Sequence, residues 1–128
     1  MKSIGFNNEG DKIKRMVFSP QNRFFAISVK CGQGEKSLKI IVYSSPEFEI
    51  IKTIDLTYSK DLSQIIFSND SKHLIAASID KSIHIFDSSK NFKLESKIDV
   101  DSEVMAIAVT ARKSILLFGD NGGNVGQF

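Results

Sequence analysis

Apolar and polar residues alternate along this chain in short runs, each closed by a cluster of turn-forming residues. Ile65–Asp87, IIFSNDSKHLIAASIDKSIHIFD, carries the pattern most clearly. It reads as three short strands joined by two tight turns. The apolar run ending at Phe67 stops at Ser68-Asn69-Asp70-Ser71, and His73-Leu74-Ile75-Ala76-Ala77 resumes it. Ile79-Asp80-Lys81 turns the chain again into Ser82–Asp87, where Ile83 and Ile85 share a face by the two-residue period of a strand.

The same arrangement recurs on both sides. Upstream, Ile13, Met16, Val17 and Phe18 precede Ser19-Pro20-Gln21-Asn22, and Phe24-Phe25-Ala26-Ile27 follows, apolar enough for a strand buried on both faces. Downstream, Val104, Ile107, Ala108 and Val109 precede Thr110-Ala111-Arg112-Lys113, then Ile115-Leu116-Leu117-Phe118. Phe18, Phe67 and Val109 are spaced 49 and then 42 residues apart, and the longer turn Lys30–Lys36 accounts for the larger interval. A third strand follows in each copy: Ile40–Ser44, Ser82–Asp87, and Val125–Phe128. A fourth, Phe48–Ile54 and Phe92–Ile98, completes only the first two copies. Nothing in the chain has a sustained helical period. The reading is all-β, about eleven short strands, in units 12–56, 61–100 and an incomplete 103–128. Ile4 and Phe6 form either a short edge strand or a disordered terminus.

Composition adds limits. The chain has 128 residues, 41% hydrophobic and 25% charged, which fits one globular domain or part of one. Its net charge of +2 is spread among 15 acidic residues, so no basic face for nucleic acid is expected. No apolar run suits a membrane span, and the first residues lack a signal-peptide core. One cysteine, Cys31, excludes an internal disulfide and suits a reducing, cytoplasmic setting.

Four strands every 40-odd residues is the period of a β-propeller blade, about 40–45 residues in the WD40 family, and the chain resembles that family. Phe18-Ser19-Pro20 and Phe67-Ser68-Asn69-Asp70 are similar to the end of its first strand. Asp80–Asp87, DKSIHIFD, is similar to its closing strand, with Phe86 in the tryptophan position. The resemblance covers roughly residues 11–128. It departs in having no Gly-His pair before a first strand and no tryptophan at all. The family's buried His–Ser–Asp–Trp network therefore cannot be assembled, and apolar packing between sheets is expected to hold the blades. Propellers typically use about four to eight blades. The expectation is a piece of a larger ring whose remaining blades come from a longer chain. Completion by other subunits, a truncated gene product and a closure pairing Ile4 and Phe6 with the third unit are the alternatives.

Candidate chemistry is sparse. His73 and His84 read as structural, with His84 facing out, away from the apolar side of Ile83 and Ile85. No zinc spacing, calcium loop or other metal site is legible, and no cofactor motif. Cys31 has no base beside it in sequence and reads as a spectator thiol. Gly32–Ser37 and Gly119–Gly126 read as β-turns, because a strand rather than a helix follows each glycine cluster. Asp61, Asp70, Asp80 and Asp87 read as turn and strand-end acids. On the resemblance, loops on one face are the usual partner contacts, which singles out Asp99, Asp101 and Glu103 together with Lys30, Glu35 and Lys36.

The function this implies is a non-catalytic protein–protein interaction scaffold. A subunit or fragment of a ciliary or axonemal WD-repeat protein is a narrower version of it. An enzymatic or small-ligand propeller would need matching reactive groups at successive innermost strands. Lys14/Arg15, Ser63/Gln64 and Met105/Ala106 do not converge on any.

Overall fold

A computed structural model describes residues 11–31, 38–56, 61–110 and 116–127. Eleven strands form among them: β1 (Lys12–Phe18), β2 (Phe24–Lys30), β3 (Leu38–Ser44), β4 (Ile50–Asp55), β5 (Leu62–Phe67), β6 (His73–Ser78), β7 (Ser82–Asp87), β8 (Lys93–Asp99), β9 (Val104–Val109), β10 (Leu116–Asp120) and β11 (Val125–Gln127). They build three antiparallel meanders, β1-β2-β3-β4, β5-β6-β7-β8 and β9-β10-β11. The expectations for Ile4, Phe6, Glu35, Lys36, the Gly32–Ser37 turn and Phe128 fall outside the described residues.

Turn chemistry sets the first hairpin of each four-stranded sheet. The Ser19 hydroxyl accepts from the Phe24 amide at 2.8 Å, and the Ser68 hydroxyl from the His73 amide at 3.0 Å. In both, the serine amide also donates to the same partner's carbonyl at 2.9 Å. A serine that satisfies the returning strand's first donor fixes where the two strands begin to pair. Asn22 and Ser71, at matching places in these turns, both take the left-handed conformation.

The repeat also reaches features that hydropathy does not encode. Each innermost strand carries a one-residue bulge at the same place: Lys14, Ser63 and Met105 are skipped in pairing with β2, β6 and β10. Outer strands β4 and β8 are bulged alike, at Ile51 and Glu95. A bulge raises local twist, so the sheets twist alike and stack face to face.

Stacking forms the core. Ala26, Leu38, Ile40, Val42 and Ile54 of the first sheet pack on Leu74, Ala76 and Phe86 of the second. The second sheet's other face, with Ile75, Ala77 and Ile83, packs on Val104, Ile107 and Leu116 of the third. Hence β2 and β6 are buried on both faces, as their unbroken apolar runs require. A third cluster, Phe25, Ile27, Val29, Ile41 and Tyr43, lies on the first sheet's outer face. Phe24, Phe67 and Phe92 meet between the first two sheets, with ring centroids 5.3–6.5 Å apart.

The expected outward orientation of His84 is overturned. It does lie on the opposite face from Ile83, but that face is buried against the first sheet, and His84 is 0% exposed. A sheet stacked on both sides has no outward face, which period-two reasoning alone does not reveal. The position is made tolerable by a polar chain. Ser82 Oγ donates to Asp80 Oδ1 at 2.6 Å and lies 2.9 Å from His84 Nε2. Ser82 has a single hydroxyl hydrogen, so His84 Nε2 carries the hydrogen of the second bond. Burial pushes the His84 imidazole below its ordinary range, against an opposing pull from Asp80.

Candidate functional site

Polar side chains tether neighbouring sheets along their inner strands. Arg15 Nε donates to the Ser63 carbonyl at 2.8 Å, Ser63 Oγ donates to the Val104 carbonyl, and the Ile107 amide donates to Gln64 Oε1 at 2.9 Å. Further out, Ser71 Oγ reaches the Pro20 carbonyl and Asn69 Nδ2 the Thr110 carbonyl. The corresponding inner positions of the third sheet are Met105 and Ala106, which have no such groups to offer.

That third sheet ends the described stack. Its free face holds Met105, Ala106, Ala108, Leu117 and Val125 and carries no charged residue from these strands. The register measures what is uncovered. Ile40, Ile83 and Val125 occupy equivalent positions in the third strand of each sheet; the first two are 0% exposed and Val125 is 79%. Leu117, equivalent to the buried Ile75, is exposed in the same way.

The acidic stretch sits at the rim between the second and third sheets. Asp99 ends β8, and Asp101 and Glu103 lie in the connection to β9. Two turns hold this connection: the Val100 amide donates to the Lys81 carbonyl at 3.0 Å, and the Asn121 amide to the Glu103 carbonyl at 2.8 Å. Asp99 and Asp101 line a cavity of about 300 Å³ with Val100, Phe118, Asp120 and Gly126. Asp101 and Glu103 also line a neighbouring one of about 270 Å³ with Lys81 and Gly122. Asp101 thus lines both cavities, Asp99 the first and Glu103 the second. Lys30 is exposed at the end of β2 in the first sheet, apart from them.

Asp120 was not singled out by the sequence reading. Its Oδ1 accepts from the Gly122 and Asn124 amides at 3.0 and 2.9 Å, which shapes the β10–β11 turn and leaves a third carboxylate on the cavity wall. The available signal was the 42-residue interval, which places it at the position of Ser78. His73, read as structural, pairs with Glu95 at 3.0 Å across the second sheet. Among the described residues no group of three or more histidine, cysteine or acidic side chains is arranged to hold a metal. No helix among them is long and apolar enough to cross a membrane.

Comparison with solved structures decides the architecture. The chain superposes on the structure of Dos1 propeller with a TM-score of 0.81 over 96% of its length, at 15% identity. The fold is that of part of a β-propeller. Its sheets are blades, and the chain spans about a third of the solved propeller it matches, 32% of that chain. No protein-family model matches the sequence, and no curated protein matches it.

Proposed function

We propose that this partial propeller is a non-catalytic scaffold of WD40-like blades that acts by binding proteins, further propeller blades among them. The reading is carried by one observation: the third blade presents an uncharged, largely apolar face on which Leu117 and Val125 stand exposed at positions that are buried in the first two blades, Val125 being 79% exposed where Ile40 and Ile83 are 0%. An exposed contiguous apolar surface of this kind is characteristic of interaction sites. The WD40-like assignment is supported by the Asp80–Ser82 hydrogen bond, which ties the β6–β7 turn to the start of a strand reading SIHIFD.

Capture from cell extract on the immobilised chain, with a Leu117→Lys/Val125→Lys variant alongside, tests the reading. A stoichiometric protein retained by the wild type and released by the variant supports it. Equal retention by both, or turnover of a small molecule by the purified chain, overturns it.

A further inference from the structure

The β10–β11 turn, residues 121–124, holds the chain's sole Asn-Gly pair, Asn121-Gly122. Both residues are exposed. We propose that Asn121 is a self-modification site, converting to aspartate or isoaspartate through the main-chain nitrogen of Gly122, and that Asp120 sets the rate by holding that nitrogen's proton. The inference goes beyond the protein-binding reading and does not rest on it.

The chemistry is intramolecular. The Gly122 nitrogen gives up its proton to hydroxide and bonds to Asn121 Cγ. The Cγ–Nδ2 bond breaks, ammonia leaves, and a succinimide ring joins the two residues. Water then adds to either ring carbonyl and breaks its bond to the nitrogen. Opening at Cγ gives aspartate; opening at the main-chain carbonyl gives isoaspartate, whose chain runs on through the former side chain. Reacting groups tethered this closely meet at an effective concentration that no separate partner reaches. Gly122 has no Cβ to crowd the approach, whereas Asn22, Asn69, Asn91 and Asn124 precede arginine, aspartate, phenylalanine and valine.

The fold supplies the control. The Gly122 amide donates to Asp120 Oδ1 at 3.0 Å. That bond engages the proton the nitrogen must lose, and the carboxylate's charge disfavours the anion left behind. The turn is also pinned by the Asn121 amide on the Glu103 carbonyl at 2.8 Å and the Asp120 amide on the Asn124 carbonyl at 3.0 Å. Both bonds limit the approach of the nitrogen to Cγ. The product would be felt beyond the turn. Asn121 and Gly122 line the 270 Å³ cavity with Lys81, Asp101 and Glu103, so aspartate adds a carboxylate to that wall. Isoaspartate lengthens the main chain inside a turn closed by the Gly119–Val125 pair.

The whole chain is aged in mildly alkaline buffer beside a synthetic peptide of residues 116–127, the unfolded reference. Intact mass follows the loss of the amide, and peptide mapping resolves aspartate from isoaspartate. Conversion is expected at Asn121 ahead of Asn22, Asn69, Asn91 and Asn124, and more slowly in the chain than in the peptide. Asp120→Ala should quicken it about three- to ten-fold in the folded chain and change the peptide's rate by no more than about two-fold. Should Asp120→Ala loosen the β10–β11 pairing, seen in amide exchange, Asp120→Asn keeps an acceptor, removes the charge and should still quicken it. A Cβ at Gly122 would meet only side-chain ends, of Asn124, Ser102 and Asp120, at 3.1–3.4 Å. Gly122→Ala should therefore fold, and slow the reaction at least about ten-fold by crowding the nitrogen. A folded chain that stays inert while the peptide converts, or conversion first at another asparagine, overturns the proposal. So does a rate indifferent to Asp120 or to Gly122→Ala.

Discussion

At the scale of single residues, burial in the stack leaves its trace at Ser28 and His84, and turn geometry at Lys81. Ser28 is buried on the face that meets the second blade, and its hydroxyl has no hydrogen-bond partner. The second blade has Ala77 at that place. Ser28→Ala should therefore raise stability by about 1 kcal/mol, since the orphaned hydroxyl's desolvation cost disappears with it; urea unfolding measures the gain. Lys81 holds a left-handed conformation, φ 68°, where the third blade has Gly123 at φ 84°. Lys81→Gly removes a steric cost larger than glycine's entropic one and should stabilise by about 0.5–1 kcal/mol, read the same way. His84 gives a pH dependence. Its imidazole, held below the ordinary value of about 6.5 mainly by burial, stays neutral in the folded chain where the unfolded chain would bind a proton. Its contribution is thus complete above about pH 6.5 and is lost as pH falls below it. The charged groups acting on it are Asp80, Lys97 and Asp99. The first blade fills the same place with Ile41. Between pH 7.5 and 5.5 the wild type should lose more stability than His84→Leu, and equal losses would exclude His84 as the sensor.

At the scale of the element, the aromatic contact between the first two blades is the sharpest test of register. Phe67 ends β5, is buried, and stacks on Phe24 from the neighbouring blade at 6.1 Å while meeting Phe92 edge-on. Phe67→Ala should cost roughly 3–5 kcal/mol, seen as a large fall in the urea midpoint; a loss well under 1 kcal/mol would mean that Phe67 does not face the inter-blade core. Most of this level was legible in the chain. Apolar runs and Ser-led turns mark strands because burial and backbone satisfaction act locally, and the 42-residue interval carries them from Phe67 to Val109. The bulges at Lys14, Ser63 and Met105 were not legible, for those three residues share no chemistry; their common property is a pairing geometry. The orientation of His84 failed for a related reason. Period two separates the faces of a strand, but only the stacking of sheets decides whether both are dry.

For the whole molecule, the two ends of the stack differ. The outer face of the first blade buries Ile27, Val29, Ile41 and Tyr43 and leaves Ile13, Met16 and Phe18 exposed along β1, whereas the free face of the third has no such buried cluster among the described residues and leaves Met105, Leu117 and Val125 exposed. The acids at Asp99, Asp101 and Glu103 were visible as a dense run in the sequence. The meeting of Asp99 and Asp101 with Asp120 and Phe118 was not, because it depends on how the third blade docks. An exposed apolar face beside an open strand edge favours association between copies. The purified chain is therefore expected to associate with rising concentration in analytical ultracentrifugation. Leu117→Lys/Val125→Lys would place two like charges on that face. Both side chains already point to solvent, so the change should move folding stability by no more than about 0.5 kcal/mol per site. It should nonetheless shift the chain toward monomer at the same concentration. Unchanged association in the folded double variant would mean that copies meet through another surface, and the free face of the third blade would lose its claim to being the molecule's adhesive end.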